Sequence, residues 1–315
     1  MSRIAAVIVT YNRIELLREC IDAIRRQNTR CDILVVDNAS TDGTSDWLDL
    51  QPDVRTLHLE INAGGAGGFS RGMEEAAGLG YDYIWIMDDD TIANPDSLMS
   101  LMTAAGKLRD DYDSLAPAQG PAEDDPAFGY IASKVLWTDG SPCKMNAVTY
   151  KKKPKDSEKV YEKDGLHSIT AATFVSLLFE RRAVMRNGLP IAEYFIWGDD
   201  KEYTLRLSAK YPCYICEDST VTHKMASNDG SNIKTDDIER VPRYFYAYRN
   251  DLATARSIGA GAVFIYFAAF MLNTLRVIFS FYPGKGRRLK AMYSGMIKGL
   301  TFKPDIVYVK RINID

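Results

Sequence analysis

Along the first third of the chain, apolar positions follow two alternating rhythms. Ala5 to Thr10 is a short β-branched and aliphatic run, the pattern of a parallel strand buried on both faces. Ile14 to Arg26 then places Leu17, Ile21 and Ile24 at helical spacing. A second buried strand, Asp32 to Val36, runs into the polar cluster Asp37-Asn38-Ala39-Ser40-Thr41-Asp42-Gly43-Thr44, both a turn and a natural helix start. Val54 to Leu59 predicts a third strand, Ser70 to Leu79 a helix, and Tyr83 to Met87 a fourth strand. Strand and helix in this alternation predict an α/β fold, a mostly parallel sheet flanked by helices on both faces. Such sheets bind ligands at the carboxyl ends of their strands, and each polar cluster here lies at such an end.

From about Lys107 the rhythm weakens. Pro117 to Pro126, rich in Pro, Ala and acidic residues, reads as a surface loop, and Tyr150 to Lys159 as a solvated mixed-charge loop. Order returns with the apolar run Ala171 to Phe179 and a helix from Arg181 to Arg186, closed at Asn187-Gly188. The tail differs. Gly259 to Leu272 is strongly apolar and aromatic, but Asn273, Thr274 and Arg276 interrupt it before Val277 to Tyr282. A membrane span needs about 20 nearly unbroken apolar residues, so this run is expected to be too interrupted to cross a bilayer. Lys285, Arg287, Arg288 and Lys290 follow, with Met292, Met296 and Ile297 on a helical stripe. Residues 259–290 therefore suit a helix lying in a membrane interface. They suit equally a helical hairpin packed on the catalytic domain or on a second subunit of a homo-oligomer.

The 315 residues permit one large domain with appendages or two modest ones. A net charge of -3 argues against a nucleic-acid partner, which favours a basic excess. Met1-Ser2-Arg3 runs straight into the first strand without the apolar core of a secretory leader, and five cysteines form no even framework. Both features point to the cytoplasm. Cys213 and Cys216 have the spacing of a metal half-site, but with no second pair they read as strand filling.

Three clusters carry chemistry. Asp88-Asp89-Asp90 ends an apolar strand, where adjacent carboxylates repel unless compensated. A divalent cation such as Mg²⁺ or Mn²⁺ would compensate them and bridge phosphates, while an acidic turn capping a helix near Pro95 is the plainer alternative. Asn62-Ala63-Gly64-Gly65-Ala66-Gly67-Gly68-Phe69 lets backbone approach a bulky ligand, with Arg71 at the start of a following helix within reach of a diphosphate. It matches neither the dinucleotide fingerprint nor the P-loop. Trp197-Gly198-Asp199-Asp200-Lys201-Glu202-Tyr203 opens a helix whose dipole favours ionised carboxylates, as a general base requires; acids that merely cap the helix are the competing explanation. His223, after a strand-like run, is either a hydrogen-bonded structural residue or a further metal ligand.

In this order the motifs resemble the family-2 glycosyltransferases of the GT-A fold. Val9-Thr10-Tyr11-Asn12-Arg13 is similar to that family's first strand end, and Val35 to Gly43 to its second, which holds base and ribose. Asp88 and Asp90 match the ends of its D-x-D metal motif, and Asp199-Asp200-Lys201-Glu202-Tyr203 its acceptor-side acid motif, in which the second acid is the base. His223 matches a late histidine that joins the metal shell in some members, and Tyr248-Arg249-Asn250 a motif after the catalytic core. The resemblance spans about Arg3 to Asn250 and is looser in the tail. The glycine-rich run and the contexts of Asp88 and Asp200 resemble most the bacterial galactofuranosyltransferases, which use UDP-galactofuranose; dTDP-rhamnose-using rhamnosyltransferases are near relatives. The extra domains of polymerising galactofuranosyltransferases and the Q-x-x-R-W motif of cellulose- or hyaluronan-type synthases are absent, which argues for a single addition.

This resemblance implies a GT-A catalytic domain over residues 1–250 and a helical membrane-associating or oligomerising segment over 251–315. It implies inverting transfer of galactofuranose from UDP-galactofuranose to a hydroxyl of a lipid-linked saccharide, in bacterial surface polysaccharide synthesis at the cytoplasmic face of the inner membrane. Asp88, Asp90 and His223 would hold Mn²⁺ or Mg²⁺, and Asp200 would take the acceptor's proton. Trp197, Asp199 and Glu202 would meet the acceptor; Thr10, Asn12, Arg13, Asp37, Asn38, Asn62, Gly64, Gly65, Phe69, Arg71, Asp88 and Asp89 the donor. The alternatives are a rhamnosyltransferase, a nucleotidyltransferase, or an inactive sugar- or lipid-binding module. A nucleotidyltransferase would carry a glycine-rich, lysine-bearing loop after the first strand, which Val9 to Arg13 lacks. Retention of Asp90, Asp200 and His223 together argues against an inactive module.

Overall fold

The first aliphatic run becomes strand β1 (Ile4–Thr10), all seven residues buried, in a computed structural model that describes residues 2–114 and 125–310. Helix α1 (Ile14–Arg25) follows and buries Leu17, Cys20, Ile21 and Ile24 along one stripe. Next come β2 (Asp32–Asp37), α2 (Thr44–Asp49), β3 (Val54–His58), α3 (Gly64–Gly78) and β4 (Tyr83–Asp88). β1 pairs in parallel with both β2 and β4, in a register that sets Thr10 beside Asp37 and Val9 beside Asp88. The carboxyl ends of three strands thereby lie level, which places the polar clusters together.

The second half adds β5 (Thr91–Ala93), α4 (Ser97–Ser114), β6 (Tyr130–Leu136), β7 (Thr149–Tyr150), α5 (Asp156–Lys159), β8 (Leu166–Ala171), β9 (Leu177–Glu180), α6 (Arg181–Asn187), α7 (Asp199–Ser208) and β10 (Tyr214–His223). The sheet order is β3-β2-β1-β4-β9-β6-β10-β8-β7, with β5 against β10. Its first four strands are parallel; β9 enters antiparallel and makes the whole sheet mixed. One face packs Leu17, Ile21, Trp85 and Leu101, the other Phe69, Met73, Phe179 and Tyr203. Cys213 belongs to one of these layers and Cys216 to the other, because residues an odd step apart on a strand face opposite ways. They are free thiols filling two cores.

Three expectations need correction. The glycine run is not a loop before a helix: α3 starts at Gly64, six residues before the expected Ser70, and Arg71 lies mid-helix. Close packing explains the glycines, since a Cβ at Gly68 would fall 2.4 Å from Val9 Cγ1 and one at Gly72 2.4 Å from Val7 Cγ1. α4 also continues through Lys107 to Ser114. The expected loop from Pro117 lies outside the described residues up to 124.

The tail forms α8 (Tyr244–Ile258), α9 (Ala260–Ile278) and α10 (Lys285–Thr301), around a third core of Tyr244, Tyr248, Leu252, Phe270 and Met292. The third correction concerns α9. Its polar residues do not interrupt it, because Thr274 Oγ1 donates back to Phe270 O at 2.9 Å and stays within the helix. At 19 residues and a mean hydropathy of 1.7, α9 is long and apolar enough to cross a membrane by length and composition, with only 22% of that stretch buried.

Candidate active site

The aspartates leave β4 at the level of Thr10. Thr10 Oγ1 donates to Asp89 Oδ2 at 2.7 Å, and the Arg13 guanidinium reaches Asp89 Oδ1 at 3.2 Å and Asp90 Oδ2 at 2.9 Å. Pairing of β10 with β5 sets His223 opposite Thr91, so its Nε2 lies 2.8 Å from Asp90 Oδ1. One ligand atom each from Asp88, Asp90 and His223 fall within 4.8 Å of one another.

This donor set fits a divalent cation. Asn146 Nδ2 donates to Thr173 Oγ1 at 2.8 Å, and the Cys143 thiol donates to Asn146 Oδ1 at 2.9 Å, which fixes that oxygen as an acceptor. His223 Nδ1–H then donates to the same oxygen at 2.8 Å, leaving Nε2 with its lone pair turned toward Asp90. Asp90 Oδ1, buried, then has no hydrogen-bond donor other than the His223 ring among the described residues. Two lone pairs cannot face each other at 2.8 Å uncompensated: either a proton on Nε2, which burial opposes but Asp90 favours by raising the His223 pKa, or a divalent cation lies between them. Burial, reinforced by Asp90, pushes the Asp88 carboxyl up to about 7. Burial likewise pushes Asp89 up to about 6 against the pull of Arg13. Burial acts on Asp90 too, but His223 and Arg13 outweigh it and hold that carboxyl below its usual range. Oxygen and imidazole ligands together suit Mn²⁺, and the carboxylates alone Mg²⁺.

Across the cavity, the turn before α7 is held in left-handed backbone, with φ of 65° at Phe195, 62° at Trp197 and 90° at Gly198. Two non-glycine residues there are strained unless the surroundings hold them. Asn250 does so: its Nδ2 donates to the carbonyls of Tyr194 at 2.9 Å, Ile196 at 3.2 Å and Trp197 at 2.7 Å. Arg249 adds the Glu193 carbonyl at 2.6 Å. The turn sets Asp199 and Asp200 at the start of α7. Burial pushes Asp200 up to about 6, moderated by the backbone N–H of Lys201 at 2.6 Å. Burial and the neighbouring Asp200 raise Asp199 further. Asp88, Asp90, His223, Trp197 and Asp200 all line one cavity of about 1280 Å³. A side pocket of about 350 Å³ shares Trp197 and Asp200 with it.

The profile described as "Glycosyl transferase family 2" matches residues 5–170, more than half of the chain. The chain belongs to glycosyltransferase family 2. It is 27% identical over 256 residues to galactofuranosyltransferase GlfT1 of Mycolicibacterium smegmatis, covering 78% of this chain and 81% of that one. Over 106 residues it is 37% identical to the undecaprenyl-phosphate mannosyltransferase of Micrococcus luteus, covering 32% of this chain and 44% of that one. The fold is shared with the mannosyltransferase PcManGT of Pyrobaculum calidifontis, solved with GDP-Man and Mn²⁺, at a TM-score of 0.53 and 15% identity over 95% of this chain and 86% of that one.

Not every residue expected to bind in this glycosyltransferase faces the cavity. Arg13, Gly65, Phe69, Asp88, Asp90, Trp197, Asp199, Asp200 and His223 do. Glu202 instead pairs with Arg206 at 2.8 and 3.0 Å, buried and away from the cavity wall. Arg71 is exposed on α3 and paired with Glu74. Asn38 spends both ends of its amide on backbone, accepting from Ala63 N–H at 2.8 Å and donating to Gly64 O at 2.9 Å. Asn62 Oδ1 accepts from Gly64 N–H at 2.8 Å, so these two asparagines build the start of α3. Gly64 itself has φ of 73°, and a Cβ there would lie 2.0 Å from Phe195 O. It locks the helix against the Trp197 turn. Asn12 is exposed, its Oδ1 accepting from Thr41 N–H at 2.6 Å. Asp37 is buried; hydrogen bonds from Ser40, Ser45 and His58 outweigh burial and keep its carboxyl below the usual range. Asn146 and Thr173 escape a sequence reading: Asn146 sits in no patterned element, and Thr173 is a hydroxyl inside the apolar run Ala171 to Phe179.

Proposed function

We propose that this glycosyltransferase moves galactofuranose from UDP-galactofuranose, with inversion, to a hydroxyl of a lipid-linked saccharide, using Mn²⁺ or Mg²⁺. The main support for the donor is the similarity to GlfT1, which runs through most of both chains. The support for the chemistry is a cavity with a cation-fitting triad on one wall and Asp200, beside Asp199, on another.

In the proposed reaction the acceptor oxygen attacks the anomeric carbon, the bond from that carbon to the UDP oxygen breaks, and the hydroxyl proton passes to Asp200. A carboxyl raised to about 6 is ionised at neutral pH yet more basic than an ordinary aspartate, the balance a general base needs. Asp88, Asp90 and His223 would hold the cation. When bound, it offsets negative charge on the departing diphosphate. Arg13 and Thr10 keep Asp89 and Asp90 oriented, and Trp197 offers an apolar wall to a sugar face. We further assign residues 1–250 to catalysis and 251–315 to a surface-attaching extension, joined through α8. Phe264, Ile265, Met271, Phe279 and Phe281 are exposed there, and exposed Lys285, Arg287 and Lys290 follow them in sequence. Such a surface suits peripheral attachment to the cytoplasmic membrane face. Arg288 does not belong to it: it is buried, donating to Ile233 O at 2.6 Å and Pro283 O at 3.1 Å.

A panel of nucleotide sugars with Mn²⁺ tests the donor. UDP-galactofuranose should turn over fastest; preference for dTDP-rhamnose would overturn the assignment. The local match to the Micrococcus luteus enzyme favours a second reading, transfer of mannose to a polyprenyl phosphate, and GDP-mannose belongs in the same panel.

A further inference from the structure

The cavity that holds Asp200 continues past Trp197 to α9, where Asn273 and Arg276 line it, and to Arg243 just before α8. Its lining carries both carboxylates, among them Asp88, Asp90 and Asp200, and the guanidinium groups of Arg243 and Arg276. Of the other cations lining it, Lys224 pairs with Glu19 at 2.6 Å and Arg240 with Asp236 at 3.2 Å, while exposed Lys144 pairs with no carboxylate among the described residues. Arg243 and Arg276, both exposed, have no carboxylate within 4.0 Å among the described residues. The polar contact of Arg276 is Asn273 Oδ1 at 3.4 Å. Arg276 is one helical turn from Leu272 and from Phe279, which with Leu275 form an apolar stripe along its edge, exposed by 48%, 77% and 46%. A guanidinium set beside an apolar stripe, at the mouth of a polar cavity, matches a ligand with an anionic group between an alkyl chain and a sugar.

We propose that Arg243 and Arg276 bind the phosphate or diphosphate of an amphiphilic acceptor. Its alkyl chain lies along Leu272, Leu275 and Phe279, and its sugar extends inward to Asp200. Guanidinium forks suit phosphate oxygens, and the low polarity beside them strengthens each contact. The inference rests on the reading of this cavity as the acceptor site and adds the headgroup that site takes.

The double variant R243Q/R276Q tests it, because both side chains are exposed and the fold does not use them. Farnesyl diphosphate in detergent micelles serves as the charged amphiphile, farnesol as its neutral counterpart, and UDP with Mn²⁺ as the donor-side probe. The wild type should bind farnesyl diphosphate at least about tenfold tighter than farnesol, and the double variant should lose about tenfold or more of that affinity. UDP binding should not change. Equal binding of farnesyl diphosphate by both proteins would overturn the site. Loss of UDP affinity would make the arginines donor ligands instead. Displacement of farnesyl diphosphate by inorganic diphosphate at equal concentration would show a free-anion site and overturn the amphiphile. None of these readouts uses a sugar donor. A site confirmed here in a protein that glycosylates no lipid-linked acceptor would therefore refute the proposed function and leave the anion site standing.

Discussion

Asp200 makes the sharpest demand on single side chains. Replacing it with Asn removes the proton acceptor but no cation ligand, so transfer should fall by about 10²–10⁴-fold while UDP affinity with Mn²⁺ is kept. Wild-type turnover would remove Asp200 from the mechanism. Burial raises its pKa, so the active, ionised form is lost as pH falls through about 6. The pH profile of kcat/KM should therefore drop about tenfold per unit below that point and lie flat just above it. Asp90→Ala should abolish divalent-dependent UDP binding; calorimetry showing equal affinity with EDTA would contradict the triad. Asn146→Ala tests the support behind the triad. It releases the His223 ring and should weaken Mn²⁺ binding by about 10–100-fold. That Asp88, Asp90, Asp200 and His223 would meet in one cavity was legible in the sequence because each sits at a strand or helix end, where an α/β sheet gathers its ligand-facing residues. Asn146 was not, since its role comes from a fold that brings it beside His223 across 77 positions.

At the scale of elements, the parallel strands were legible because continuous aliphatic runs have one stable home, a sheet covered on both faces. Helix α3 was misjudged because glycine disfavours helix in isolation, by about 1 kcal/mol each relative to alanine. Here that cost is offset by the approach to Val7 and Val9 that only glycine allows. Arg71 and Glu202 were assigned to ligands for a related reason. Motif spacing does not say which face of a helix a residue occupies. The Trp197 turn is where element and chemistry meet. Asn250→Ala would take their side-chain donor from the Ile196 and Trp197 carbonyls, while Tyr194 O keeps Arg249 and the Ile196 N–H, and should lower stability by about 1–3 kcal/mol. Thermal unfolding reads that loss. The relaxed turn should also lower kcat, because Trp197 and Asp200 are no longer fixed; an unchanged kcat would show that α7 holds them unaided.

For the molecule as a whole, the proposed attachment through α9 and α10 would decide where catalysis happens. Replacing Lys285, Arg287 and Lys290 with Gln should reduce flotation with anionic vesicles and leave UDP binding intact, each charge contributing about 1 kcal/mol near such a surface. High salt should release only part of the wild-type protein, because salt screens the lysines and arginine but not the apolar contact. A protein wholly unbound to vesicles and dimeric in solution would assign the apolar face to a second copy instead.

Helix α8 stands between these two tasks. Near its middle, Asn250 grips the Trp197 turn. On its other side Gly295 and Gly299 of α10 lie so close that a Cβ would come within 2.4 Å of Phe245 O and 3.0 Å of Arg249 O, and Tyr266 of α9 donates to Tyr248 O at 3.0 Å. No slack separates the outward-facing hairpin from the catalytic turn. Wherever the hairpin rests, Asp200 stands at one fixed height above it. An acceptor whose hydroxyl lies closer to its anchor, or farther out, misses the carboxylate. On the proposed reading, the spacing between anchor and hydroxyl would select acceptors, with α8 as the ruler.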